Sequence, residues 1–310
     1  IEDSMDALKL LKDSGMKMIC HAMPDLPFST KEEDQDMFRE ILENPNLLSD
    51  EWKIYPYVTV PFTVTKKWHD NGKFQHNVDR DSNYLIDVIG DFMSKVPPFM
   101  RVPRIIRDIP NSYIEGGNKL GHLREIVDNK VNTQEIRGRE IKNTILTSHP
   151  ILKIEQFESS DAQEFFIHYD TNKSKLNSKI IGFCRLRLKK KDITNPFLPE
   201  LDNSALIREL HVYGKVTLVN TQNKEGVQHF GLGQKLVKQA EWIAFKNGYT
   251  HVCITSGIGV RRYYQDKLGY KLEGLFMKKN ILNEYLIYLF KIFMGFMVLS
   301  LCSMLIFYTL

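Results

Sequence analysis

Residues 1–110 alternate helix and strand patterns, and from about residue 147 that rhythm gives way to a succession of strands. One uniform sheet cannot satisfy both. In the first part "MDALKLLKDSG" reads as a helix ending at Gly15, followed by the apolar run "MKMICHAM". "EEDQDMFREILENP" and "DSNYLIDVIGDFMSKV" read as further helices, with "WKIYPYVTV" and "MRVPRIIRDIP" as extended partners. Such alternation predicts a parallel sheet, because each crossover helix returns the chain to the same end of the sheet. About three units are present, too few to close an eight-stranded barrel, so half of that fold is expected upstream of Ile1.

"GGNKLGHLREIVDNKVN" then predicts a bridging helix. Beyond it "ILKIEQFES", "EFFIHYD", "KIIGFCRLRL" and "ALIRELHVYGKVTLV" predict a largely antiparallel sheet. A helix headed by Gly231 and Gly233, the strand "HVCITS", the helix "VRRYYQDKL" and a last strand "YKLEGLFMK" complete it. With 310 residues, 43% of them hydrophobic, the chain can bury two cores. The expected class is α/β followed by α+β: a parallel sheet, open or barrel-like, over 1–115, a bridge over 116–145, and an antiparallel domain over 146–280.

Residues 281–310 differ in kind. From 292 the run "IFMGFMVLSLCSMLIFYTL" has no charge, and it is apolar all round instead of along one stripe. Its length predicts a C-terminal transmembrane helix. Lys278, Lys279 and Lys291 on its near side predict that the globular part faces the cytosol. A net charge of +4 excludes any argument for nucleic acid from charge alone. The four cysteines, Cys20, Cys184, Cys253 and Cys302, form no close pair, so neither a zinc finger nor a disulfide framework is signalled.

The glycines carry the chemistry. In "QHFGLGQKLVKQAEWIAFKNG" they stand where a helix begins, and glycine suits close approach of backbone to a ligand. The first N–H groups of a helix are unpartnered and favour a phosphate. Gln228, Gly231 and Gly233, set between a strand and a helix, resemble the Q-x-x-G-x-G loop of GNAT acyltransferases, which cradles the coenzyme A diphosphate. "IRELHVYGKV", "QHFGLGQKLVKQAEWIA" and "GVRRYYQDKLGY" further resemble the Elongator catalytic-subunit family. "HAMPDLPFS", "KIYPYVTV", "VPPFMRVPRIIRDIP" and "GHLREI" are similar to the rear half of that family's radical-SAM barrel.

The resemblance implies an acyltransferase that uses acetyl-CoA and S-adenosylmethionine to carboxymethylate the wobble uridine of tRNA at C5. It implies tRNA and other Elongator subunits as partners. It places acetyl-CoA contacts on Glu209, Leu210, His211, Val212, Leu232, Gly233, Gln234 and Tyr264, and it names no catalytic base. The cysteines for the family's [4Fe-4S] cluster have no counterpart here, so SAM chemistry is expected from upstream residues. "EIRGREI" matches a family strand and keeps Arg137, Arg139 and Glu140. With Arg101, Arg104 and Arg107 these arginines are candidate tRNA phosphate contacts. The apolar tail resembles tailed apicomplexan members, which points to the outer mitochondrial membrane. Two other readings stay open: a protein lysine acetyltransferase with Glu209 as base, and a truncated, membrane-tethered binding module without activity.

Overall fold

The computed structural model describes residues 1–309 apart from 107–108, 143–148, 172–177, 192–196 and 214–230, with side chains as far as Met297. The first part runs α1 (Glu2–Asp13), β1 (Ile19–Ala22), α2 (Lys31–Glu43), β2 (Glu51–Ile54), β3 (Val58–Thr59), α3 (Val64–Asp70), α4 (Asn77–Arg80), α5 (Tyr84–Lys95) and β4 (Arg101–Ile105). β5 (Gly116–Gly117), α6 (Leu123–Lys130) and α7 (Ile136–Arg139) follow. The second part comprises β6 (Ile151–Ser159), β7 (Ala162–Asp170), β8 (Ile180–Leu188), β9 (Ser204–Val212), α8 (Leu232–Lys246) and β10 (His251–Ile254). It ends with α9 (Arg261–Leu268), β11 (Lys271–Glu273), β12 (Phe276–Asn280) and α10 (Leu282–Thr309).

β1, β2 and β4 pair in that order, all parallel. Pro103 is tolerated inside β4 because β4 is an edge strand among the described residues. Leu85, Val88, Ile89 and Phe92, at helical spacing on α5, bury with Phe38 and Ile41 of α2 against Ile54 and Val102. Thr30 starts α2 with a reciprocal cap: its hydroxyl accepts from Glu33 N, and the Glu33 carboxylate accepts from Thr30 N.

The second sheet has seven strands in the order β11-β12-β10-β9-β8-β7-β6, and only β9 and β10 are parallel. Leu236, Val237, Ala240, Ile243 and Ala244 of α8 cover Ile167, Cys184, Leu186 and Ile207. Two segments depart from the sequence reading. "EIRGREI" is no strand: the Glu135 carboxylate accepts from Arg137 N and Gly138 N and caps the single turn α7. "YKLEGLFMK" is a hairpin, turned at Gly274 with φ +55° and clasped by Glu200, which accepts from Leu275 N at 3.2 Å.

A buried lattice of charge joins the two sheets. Arg208 of β9 donates to both Asp50 oxygens at 2.7 Å and to Glu164 at 2.6 Å. Arg187 of β8 pairs with Asp13 and Glu164 at 2.7 and 2.8 Å. Arg185 pairs with Glu209 at 2.9 Å and donates to Phe99 O. Asp50 immediately precedes β2 and Asp13 ends α1, so the amino-terminal side of the parallel sheet rests on β7, β8 and β9. Burial would raise the Asp50 carboxyl; Arg208 and Arg185 overcome it and hold the group below the usual carboxylate range.

A second buried carboxylate, Asp170, accepts from His168 at 2.6 Å, Lys153 at 2.9 Å and Ser178 at 3.0 Å. Burial opposes its ionisation, yet His168 and Lys153 bring it from 3.8 down to about 2. A carboxyl depressed in the folded state contributes stability that is complete above its unfolded value and lost as pH falls through the folded one. Asp170→Asn is expected to lower stability by ~2 kcal/mol at pH 7. The difference should shrink below pH 3.8 and vanish only below pH 2. Urea denaturation at both ends of that window checks it.

α10 starts docked on α8. Tyr285 donates to Lys238 O at 3.0 Å, and Glu284 accepts from Lys238 and Lys279 at 2.5 and 2.6 Å. Farther along, Phe290, Phe293 and Phe296 are exposed. Among the described residues no helix is long and apolar enough to cross a membrane. The predicted span is therefore not supported by them, and most of 292–310 lies outside the described side chains.

Candidate functional site

β10 pairs with β9 only from Ser204 to Ile207, where Thr255 N donates to Ile207 O at 3.0 Å. β8 stays paired with β9 as far as Val212. Residues 208–212 therefore present one open backbone edge among the described residues. The register with β8 shifts at this point: Arg185 faces Glu209 and Leu186 faces Ile207, which makes Arg208 the extra residue of a bulge. A bulge bends its strand and ends a pairing. The N–H and C=O groups so released suit a ligand that carries amides.

The N-terminus of α8 closes the site. Gly231 caps it at φ +61°, in the left-handed region, and as a glycine it offers the first N–H groups no side chain. At Gly233 a Cβ would lie 2.8 Å from the Tyr263 hydroxyl and 3.8 Å from Val212 Cγ2. Val212, Gly233 and Tyr263 thus meet, with Leu232 buried beneath them on Ile141 and Ile181. Gln234 is half-buried in the first turn, and Gln228 lies outside the described residues. The family resemblance points to Tyr264 and leaves Tyr263 as a packing residue. Its one signal was the tyrosine pair itself.

Tyr264 lies in the core with Leu210 and Val212 packed on the same cluster, its ring 5.3 Å from that of Tyr263. Burial, then Cys184 and Tyr263, push its phenol well above the ordinary value, so it is a proton donor at neutral pH. Glu209 is held differently. Burial would raise its carboxyl, but Arg185 and Lys17, each at 2.9 Å, bring it below the ordinary value. His211 is exposed, with its ring 4.3 Å from that of Tyr213.

The candidate tRNA arginines divide. Arg139 is buried, donates to Pro98 O and Gln134 O, and lies 3.6 Å from Asp170. Arg101 pairs with Glu140 at 2.6 Å. The Arg139 head is held by groups inside the fold, whereas the Arg101 side chain stays about a third exposed. Arg137 donates to Pro103 O, Arg104 is exposed, and Arg107 lies outside the described residues.

Residues 49–133 match the Radical_SAM C-terminal domain family, a segment that runs from the start of β2 through α6. The chain is 37% identical over 296 residues to a tRNA uridine(34) acetyltransferase of Methanocaldococcus infernus, covering 91% of this chain and 53% of that protein. It is 33% identical to Elongator complex protein 3 of Schizosaccharomyces pombe, covering 88% of this chain and 51% of that one. The solved structure of M. infernus Elp3 with an N-terminal deletion superposes with a TM-score of 0.76 at 35% identity, over 90% of this chain and 66% of that one. The chain is a relative of the Elongator complex protein 3 family. It spans about half the length of the curated relatives it matches. The similarity to Elongator complex protein 3 extends over about nine-tenths of this chain.

Proposed function

We propose that the chain is part of a tRNA wobble-uridine-modifying acyltransferase that binds acetyl-CoA between the β9 edge and α8. The similarity over nine-tenths of the chain to proteins named tRNA uridine(34) acetyltransferase carries this reading. tRNA is the substrate, 5-carboxymethyluridine the product, and other Elongator subunits the partners. Bound acetyl-CoA supplies an acetyl thioester. Backbone groups of Glu209, Leu210, His211 and Val212 hold its amides, and the N–H groups of Leu232, Gly233 and Gln234 face its diphosphate. Tyr264, protonated, donates to the sulfur. The open edge, the left-handed Gly231 and the crowding at Gly233 all support this fit. Titration calorimetry with acetyl-CoA tests it: saturable one-to-one binding is expected, and absence of heat together with absence of thermal stabilisation overturns it.

Glu209 makes a poor general base for a lysine acetyltransferase, since ion pairs with Arg185 and Lys17 lower its proton affinity. S-adenosylmethionine and its cluster enter only through the family. Among the described residues no three His, Cys, Asp or Glu side chains form a metal site.

We also propose that residues 292–310 anchor the protein, with its globular part in the cytosol and the outer mitochondrial membrane as its site. Nineteen residues without charge give ~28 Å of helix, close to a hydrocarbon core. In cells the full chain should stay with membranes through carbonate extraction, and a chain ending at Lys291 should be released. Release of both overturns the anchor.

A further inference from the structure

The loop after β1 holds a phenylalanine in a conformation that bulky residues rarely adopt. Phe28 has φ +71° and is 63% exposed, with its ring 5.9 Å from both Trp68 and Phe74. The loop beneath it is rigidly held. Buried Asp25 accepts from Asn77 N at 2.8 Å and faces His76 Nδ1 at 3.3 Å, while His76 Nε2 meets the Thr59 hydroxyl at 2.8 Å. Asp25 N donates to Asp34, which also accepts from the Tyr84 hydroxyl at 2.8 Å. Asn77 Nδ2 donates to Ser29 O at 2.8 Å. Strain of this kind persists where the surroundings over-determine it, and it gathers at ligand clamps. The neighbouring loop repeats the device at Phe62, φ +65° and fully exposed, just ahead of the helix that carries Trp68.

Phe28 and Phe74 wall a groove of about 440 Å³ outside the carboxyl end of β1, where open α/β sheets bind ligands. Lys31, Lys73 and Arg80 line it against one carboxylate, Asp81. Lys31 leans on Asp87 at 3.5 Å, and Arg80 donates to the neutral amide of Gln75 at 3.3 Å. A preset aromatic face beside cations is the chemistry of unpaired nucleotides: a base stacks and its phosphates are neutralised. We propose that this groove receives an unpaired nucleotide of RNA, with the base on Phe28 and the phosphates on Lys73 and Arg80. The proposal rests on the tRNA reading above and assigns that substrate a docking point on the parallel sheet.

The test uses the full chain and an anticodon stem-loop RNA with 2-aminopurine in the loop, titrated at several salt concentrations. Phe28→Ala should weaken binding roughly 5- to 100-fold and abolish the stacking quench, with the slope of log K against log salt unchanged. Phe28→Trp should retain both affinity and quench. Lys73→Ala with Arg80→Ala should flatten the slope by ~1–2. If the parent binds RNA and these variants match it in affinity, quench and slope, the groove is not the RNA site and the tRNA reading stands. RNA that competes equally with an unrelated protein segment or with lipid vesicles for this groove, without quench, likewise overturns the nucleotide. Failure of the parent to bind RNA at any salt overturns both readings.

Discussion

Arg208→Ala is expected to destabilise the protein by about 3–5 kcal/mol, the range for breaking a buried ion pair from one side. The loss comes less from the attraction removed than from what is left behind. Asp50 and Glu164 have side chains only 3% exposed, and Arg208 satisfies three of their oxygens. Without it both carboxylates stay desolvated and repel each other. Exposed pairs such as Lys95–Asp91, at 2.7 Å on the outer face of α5, set the contrast. Their loss should cost less than ~1 kcal/mol. Because Arg208 is also the bulge residue of β9, the folded variant should bind acetyl-CoA more weakly. Urea denaturation gives the stability, and the double variant with Asp50→Ala should fall short of the sum of the singles. A loss below ~1 kcal/mol would mean that water reaches the seam and screens it.

That seam also marks where sequence reading stopped. Helical spacing on α5, the cap at Thr30 and the glycines ahead of α8 are local signals, and each names its own element. An arginine inside "FCRLRL" or "LIRELHV" reads as a solvated strand position, because strands alternate faces. Its partner is invisible from there: Asp13 lies 174 positions from Arg187, and Asp50 lies 158 from Arg208. Tertiary burial of paired charge overrides local hydropathy. "EIRGREI" failed for a related reason. Its likeness to a family strand suggested a strand, but one carboxylate, Glu135, accepts two backbone N–H groups and closes a turn. At the site the glycines were legible from their rarity in helices. The open β9 edge was not, since it depends on where β10 ends and on a bulge that pairing alone creates.

Gly233→Glu is expected to abolish acetyl-CoA binding while leaving the chain folded. The new carboxylate would stand in the first turn of α8, where the coenzyme diphosphate is proposed to lie, and would repel it. A negative charge near a helix N-terminus stabilises the helix by about 0.3–1 kcal/mol, which offsets part of the steric cost. That cost has one source: a Cβ here comes 2.8 Å from the Tyr263 hydroxyl. Tyr263→Phe removes the obstructing oxygen, so Gly233→Ala should be better tolerated in that background than in the parent. Gly231 provides the opposite control. Among the described residues a Cβ there meets nothing within 4 Å, but φ is +61°, so Gly231→Ala should cost ~1–2 kcal/mol of backbone strain. The two glycines thus separate space from conformation. Calorimetry with acetyl-CoA on folded variants reads the outcome: Gly233→Glu should give no measurable heat, and Gly231→Ala should bind once its fold is confirmed. Parent-like affinity in a folded Gly233→Glu variant would move the coenzyme away from α8 and leave the open edge of β9 without its proposed ligand.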